Sequence, residues 1–401
     1  MRVLLLLFIL LFNTPCLKAQ NKELSQARSC IKSGKDIDKA KQSLRTLLHT
    51  TNLSEKDSLK VYYTLYQVLK KQYETGNESL YLKQKYDTAS IFSYIKEMFE
   101  VACALDSVDA RPDKNGNVKT KYRKKHAAEL AQYKTNLYYG GAYFIKHGDY
   151  QQAYSFFDSY LKFNTQPLFV DYHTEEKDRM TIKAAYWATY CAYKQNAMEQ
   201  VPLYASLALE DKEKKVYTLQ YLAEAYQTMG DDENYLRYLN VGFEEFYKSP
   251  YFFPRLIDYY TSHNQMKGAL HIADCALALD STSVLYLYAK STLLLNMGNY
   301  RECIDYSEKI INISDTIAEP YYNVGISWMN IALQYESQLK GKEKQLKLTE
   351  IYKKACPYFE TYRMLAPHQQ QKWGPALYTI YFYLNRGKQF EEIDNILKNN
   401  R

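Results

Sequence analysis

Many residues in this chain could do chemistry, but few stand at the spacings that chemistry requires. Seven histidines (His49, His126, His147, His173, His263, His271 and His368) include no His-Glu-x-x-His and no pair set to chelate from one helix face. His263 and His271 flank an expected turn, which leaves one solvated and the other packed. No serine lies in a Gly-x-Ser-x-Gly turn. Gly140-Gly141 runs straight on into helix, without the Lys-Ser/Thr that a phosphate cradle needs. Glu244-Glu245 and Glu391-Glu392 read as solvated faces, with nothing nearby to raise one carboxyl for acid catalysis. The expectation is a chain with no catalytic residue, no metal site and no cofactor.

Two constellations remain. Tyrosine supplies 42 of the 401 residues, and an apolar ring whose hydroxyl stays satisfied at a wet surface suits peptide or sugar contact. The competing reading is that most of these rings simply fill space, as expected for Phe157, Tyr226 and Tyr260. The second constellation is the basic run Lys119, Lys121, Arg123, Lys124 and Lys125, preceded by Arg111 and Lys114. Such a run could meet an anionic membrane surface or an acidic partner through a largely screened attraction, or it is a solvated loop entering a helix. The formal net charge of +7 comes from interspersed charges of both signs, which favours solubility over nucleic-acid binding.

These residues are positioned by a repeat. Val201, Tyr235, Ala269 and Cys303 recur every 34 residues, and Thr189, Ala223, Ile257, Ser291 and Gly325 keep the same step upstream. Gly148-Asp149-Tyr150 returns as Gly298-Asn299-Tyr300 and more loosely as Gly230-Asp231-Asp232. The period and residue types resemble the tetratricopeptide repeat family. The resemblance implies an all-α fold, a right-handed α-α superhelix of antiparallel helix pairs, with small residues where paired helices cross and aromatics beside them. Gly141, Ala223 and Gly325 match the small position of the first helix, and Ala153 and Ala269 that of the second.

The resemblance covers residues 126–401. Two insertions depart from the period: one near 164–177, expected as a loop, and one near 332–354. The second is rich in good helix formers and predicts a lengthened helix pair broken near Gly341. Residues 21–125 read as divergent repeats of the same kind, ending in the basic loop.

In this family the first helices line a concave groove. The groove positions here would hold Tyr138, Tyr190, Tyr217, Tyr251, Tyr288 and Tyr322. A subset of the family grips a C-terminal carboxylate with paired Asn and Lys/Arg. The matching places here include Ala142, Glu224, Asp258 and Tyr288, so that clamp is missing.

The first twenty residues have the layout of a secretory signal peptide. Arg2 precedes the apolar run Val3–Phe12, which is about half a bilayer span, and Asn13, Thr14 and Pro15 then break it. This predicts export to a periplasm or cell envelope. Lipid attachment at Cys16 is disfavoured, because Asn13-Thr14-Pro15 replace the small residues expected before a lipidated cysteine. Six cysteines follow: Cys30, Cys103, Cys191, Cys275, Cys303 and Cys356. Export permits disulfides, and Cys275 with Cys303 is the pairing to check. Their helical settings favour small buried fillers instead. The sequence therefore predicts a non-catalytic scaffold or adaptor of the bacterial cell envelope that binds a protein or peptide and no nucleic acid. The alternative is a glycan- or nutrient-binding envelope component.

Overall fold

The computed structural model describes residues 21–50, 52–172 and 179–399. The expected signal peptide with Cys16, and His173, lie outside them. Every regular element among the described residues is a helix, so the all-α reading holds. The chain divides into two compact units, Met1–Tyr235 and Leu236–Arg401, each a short solenoid of antiparallel helix pairs.

The first unit comprises residues 21–33 (α1) and Ile37–Thr50 (α2), Glu55–Tyr81 (α3), Thr88–Asp109 (α4) and Arg123–Ala131 (α5). Lys134–Lys146 (α6), Tyr150–Lys162 (α7), Arg179–Lys194 (α8), Ala205–Ala208 (α9) and Lys215–Met229 (α10) complete it. The unit boundary falls inside Asp232–Glu245 (α11). The second unit continues with Phe252–Ser262 (α12), Met266–Leu279 (α13), Val284–Asn296 (α14) and Tyr300–Ile313 (α15). It ends with Ala318–Gln338 (α16), Gly341–Leu365 (α17), Gln370–Tyr383 (α18) and Gly387–Asn399 (α19).

The repeat step is written most plainly in the turns. Asn196, Gly230, Asn264 and Gly298 stand 34 residues apart, and all four have positive φ, between 58° and 80°. Only glycine, and next to it asparagine, takes this left-handed conformation cheaply. The amide after each one reaches back to the carbonyl five residues earlier, as Ala197 N–H does to Ala192 (2.9 Å) and Asn299 N–H to Leu294 (2.9 Å). These bonds satisfy carbonyls that the helix end leaves open. Each first helix is thereby stopped at a fixed residue, and the second starts antiparallel to it.

Packing at the crossings follows one rule with two signs. Gly141 lies on the Phe157 ring and Gly325 on the Phe359 ring, so closely that a β-carbon on either glycine would collide with the ring. In the α12–α13 pair the sizes are exchanged: Ile257 stands in the first helix and packs on the cluster containing Ala273. The total volume is kept, and the bulky residue changes helix.

Both insertions take helical form among the described residues. α16 and α17 are extended to 21 and 25 residues and break between Gln338 and Gly341, as the sequence predicts. The first insertion, expected as a loop, instead winds into 3-10 turns over Phe163–Thr165 and Pro167–Tyr172, with Phe163, Leu168 and Phe169 buried. After α8 the second helix of its pair is irregular: Met198–Tyr204 is 3-10 and holds Pro202, which has no N–H for the ladder. It still buries Val201, Ala205 and Ala208.

All six described cysteines are free, so the pairing of Cys275 with Cys303 is not made. Cys303 is fully buried beside Ser307 and the Asn323 carbonyl, whereas Cys275 sits on the surface of α13 beside His271.

Candidate functional site

The first helices of the first unit present a wall of aromatic rings. α8 carries Tyr186, Trp187, Tyr190 and Tyr193 at spacings that keep them on one side of the helix. Tyr190 is the hub: its ring centroid lies 5.6 Å from Trp187, 5.9 Å from Tyr150 of α7 and 6.0 Å from Tyr221 of α10. Tyr193 stacks on Tyr221 at 4.6 Å. Centroids 4.5–7 Å apart in tilted or edge-on arrangements are favourable ring geometries. Burial, and then a hydrogen bond shared with Tyr150, push the Tyr190 hydroxyl up to about 12. It therefore stays protonated and able to donate.

Polar groups fix the rim of this wall. Tyr193 donates to Glu224 Oε2 at 2.5 Å. Lys214 Nζ sits over Tyr186 (6.0 Å) and Tyr217 (5.7 Å), a cation–π arrangement. Tyr217 is 45% exposed and Tyr139 of α6 is 54% exposed, large open apolar surfaces for side chains that pack readily elsewhere in this chain.

The six tyrosines expected on a groove thus separate into different roles. Tyr190 and Tyr217 belong to the wall. Tyr138 is half-buried: its ring meets Phe157 at 5.5 Å and Tyr160 at 6.0 Å, both on the second helix of its pair, while its hydroxyl faces Trp187 of the wall. Tyr322 repeats this relation in the second unit, against Phe359 (6.1 Å) and Tyr362 (5.3 Å). Each stands three residues before the crossing glycine, so the ring is drawn into the helix–helix contact. Tyr251 lies under the Arg255 guanidinium, 3.7 Å from the ring centroid. Tyr288 is half-buried on α14. Trp187, Tyr186 and Tyr221 were not expected; Trp187 and Tyr221 stand 34 residues apart, so the repeat step is the signal that could have found them.

The basic run is corrected at one position. Lys119, Lys121, Lys124 and Lys125 are exposed, but Arg123 turns inward. Its Nε and Nη2 bond the two oxygens of Asp106 at 2.8 Å each, and Asp106 is only 3% exposed. Asp109 accepts from the backbone amides of Lys121 and Tyr122 (2.5 and 2.9 Å), which pins the end of the loop. His126 is buried beside them, its ring 4.4 Å from Tyr66 and 5.8 Å from Tyr122, with neither ring nitrogen hydrogen-bonded. Burial lowers its pKa, so it is neutral at pH 7.

Candidate chemistry elsewhere is sparse. Burial pushes the thiols of Cys103, Cys191 and Cys356 up to about 12, far from the thiolate a nucleophile needs. Among the described residues no group of three or more His, Cys, Asp or Glu could hold a metal ion. No described helix is long and apolar enough to cross a membrane.

No family model matches the chain, and no curated protein matches it. Among solved structures it is similar to a MamA double mutant, at 16% identity and a TM-score of 0.34, over 45% of this chain and 90% of that one. A tetratricopeptide repeat protein from Parabacteroides merdae is similar at 13% identity and TM-score 0.34, over 65% of this chain and 97% of that one. YrrB, described as a TPR protein with an unusual peptide-binding site, is similar at 15% identity and TM-score 0.22, over 63% and 98%. These likenesses concern the fold, antiparallel helix pairs of the tetratricopeptide type.

Proposed function

We propose that this chain is a binding protein, an interaction scaffold that takes a protein segment on the aromatic wall of its first unit. The observation that carries the proposal is the ring network centred on Tyr190, half-exposed, bordered by Lys214 and Glu224 and open at Tyr217 and Tyr139. Rigid aromatic side chains give much contact area for little lost entropy, which is why binding energy concentrates on them. The preferred ligand is an extended segment with apolar or proline side chains to lay on the rings. Its backbone carbonyls would accept from tyrosine hydroxyls.

We place this scaffold in the cell envelope of a bacterium. Arg2 followed by the apolar run Val3–Phe12 supports that reading.

The test is affinity capture from envelope extracts, with the captured protein then titrated against variants. Trp187→Ala with Tyr190→Ala should lower its affinity at least tenfold while the helical circular dichroism is kept. Unchanged affinity would remove the wall from the binding surface. Robust turnover of any substrate by the purified protein would remove the non-catalytic reading.

A further inference from the structure

The end of α3 and the turn that leads into α4 carry a feature that the packing does not use. Three consecutive apolar residues, Leu80, Tyr81 and Leu82, are exposed by 38%, 86% and 56%. They are not a slack loop. Leu82 N–H reaches Glu78 O and Gln84 N–H reaches Ser79 O, both at 2.9 Å, with Lys83 in the left-handed conformation at φ 56°. Asp87 then caps α4 by accepting from Ala89 N–H. Tyr86 folds back onto Gly76, where a β-carbon would meet its ring at 2.7 Å. Residues 80–85 therefore overhang the last packed contact, as an ordered tip with its apolar side chains facing water.

The charge around the tip is biased. Lys83 and Lys85 are exposed within it. Other turns of the first unit lie along the same edge. The α6–α7 turn is brought there by Phe92 of α4 against Tyr143 of α6 (5.6 Å), and the turn after α8 by Tyr150 against Tyr190. The α1–α2 turn joins them through Gln72 Nε2 donating to Asp38 at 2.5 Å. These turns expose Lys35, Lys146 and Lys194. Most acids at the same turns are engaged, Asp36 with Lys39, and Asp87 and Asp149 as helix caps, and Glu78, exposed in the last turn of α3, is the acid that opposes the lysines at the tip.

We propose that this edge docks on an anionic lipid surface, with Leu80, Tyr81 and Leu82 entering the interfacial layer and the lysines lying over the headgroups. Leucine supplies apolar area, and tyrosine prefers the level where a ring is buried and its hydroxyl stays wet. Each lysine held at an anionic surface adds attraction that extends about a Debye length. A second copy of this chain would bring the same lysines against themselves, which disfavours it as the occupant. The site is distinct from the basic run at 119–125, which lies beyond the opposite end of α4.

The experiment places an environment-sensitive fluorophore at Tyr81→Cys in the full chain, with Cys16, Cys30, Cys103 and Cys275 replaced by Ser. A control label goes at Val118→Cys, 55% exposed beyond the other end of α4. Vesicles of phosphatidylcholine with about 30% phosphatidylglycerol should blue-shift the label at 81 and leave the label at 118 unchanged. Lys83→Glu with Lys85→Glu should weaken that response about tenfold or more. A label at 81 unmoved by anionic vesicles overturns the proposal, and so does an equal shift with pure phosphatidylcholine. A shift that follows protein concentration without lipid overturns it in favour of self-association. Because the readout is local to the tip, the apolar segment 3–12 cannot produce it, and failure here leaves the aromatic wall untouched.

Discussion

A β-carbon on Gly325 would stand 2.7 Å from Phe359 Cε2, and one on Gly141 would stand 2.6 Å from Phe157 Cε2. The two contacts are the same contact. Gly141 precedes its ring by 16 residues and Gly325 by 34, and the extra 18 are the insertion that lengthens α16 and α17.

Gly325→Ala should therefore destabilise the second unit by about 2 kcal/mol, the usual cost of forcing a methyl into a packed contact. Gly341→Ala, with open space around it but φ at +59°, should cost about 1 kcal/mol through backbone strain alone. Denaturant titration of both variants checks the order. Equal costs would mean that the ring at Phe359 yields.

Arg123 and Asp106 should be coupled. Arg123→Met leaves a carboxylate buried without its partner and should cost about 3 kcal/mol, as for other broken buried pairs. Adding Asp106→Leu removes the stranded charge and should recover much of that loss. A double-mutant cycle on chemical stability decides it; additive losses would mean the pair is not coupled.

His126 gives the first unit a pH dependence of definite sign. Its folded pKa is lowered, by burial above all, with Lys125 opposing its charge and Glu129, Asp109 and Asp106 favouring it. The unfolded chain then takes up the proton first, near the ordinary value of about 6.5. Stability is full above that value and falls as pH drops through it toward the folded pKa. Thermal melts from pH 7.5 to 5.0 should show this loss, and His126→Phe, which keeps a ring against Tyr66, should flatten it. Identical slopes for the two proteins would assign the acid sensitivity elsewhere.

Tyr138 and Tyr217 should part company although both stand at expected groove positions. Tyr138→Ala opens a void against Phe157 and Tyr160 and should cost about 3 kcal/mol of stability. Tyr217→Ala should change stability by under about 0.5 kcal/mol and instead weaken partner binding. Melting curves alone distinguish them, and a large stability loss for Tyr217→Ala would place that ring in the core.

Cysteine labelling separates the thiols. In the native protein Cys30 and Cys275 should react with an aromatic disulfide reagent at pH 8, and Cys191 and Cys356 should not, held back by burial and by pKa values pushed up to about 12. Rapid labelling of Cys191 would show that α8 opens readily.

Local patterns explain what the sequence disclosed. The 34-residue step, the crossing glycines and the break near Gly341 are visible because each depends on a few neighbouring residues. Asn196 and Asn264 escaped notice as turn residues, since asparagine announces a left-handed turn less loudly than glycine. The inward turn of Arg123 depends on Asp106, which is 17 residues earlier and looks like any helix-end acid. The aromatic wall was half legible. Tyr190 and Tyr217 are expected groove residues, whereas Trp187 and Tyr221, one step of 34 apart, carry a repeat signal of their own, and Tyr221 meets Tyr190 only when neighbouring helix pairs stack.

The exchange of bulk at the crossings also bears on how the chain finds its own pairing. A chain of similar helices risks joining a first helix to another pair's second. The first helix holding Gly141 would leave a gap against Ala273, and the one holding Ile257 would clash with Phe157. Each helix thus carries a size code that only its proper neighbour completes, and misassembled registers are penalised before the solenoid is whole.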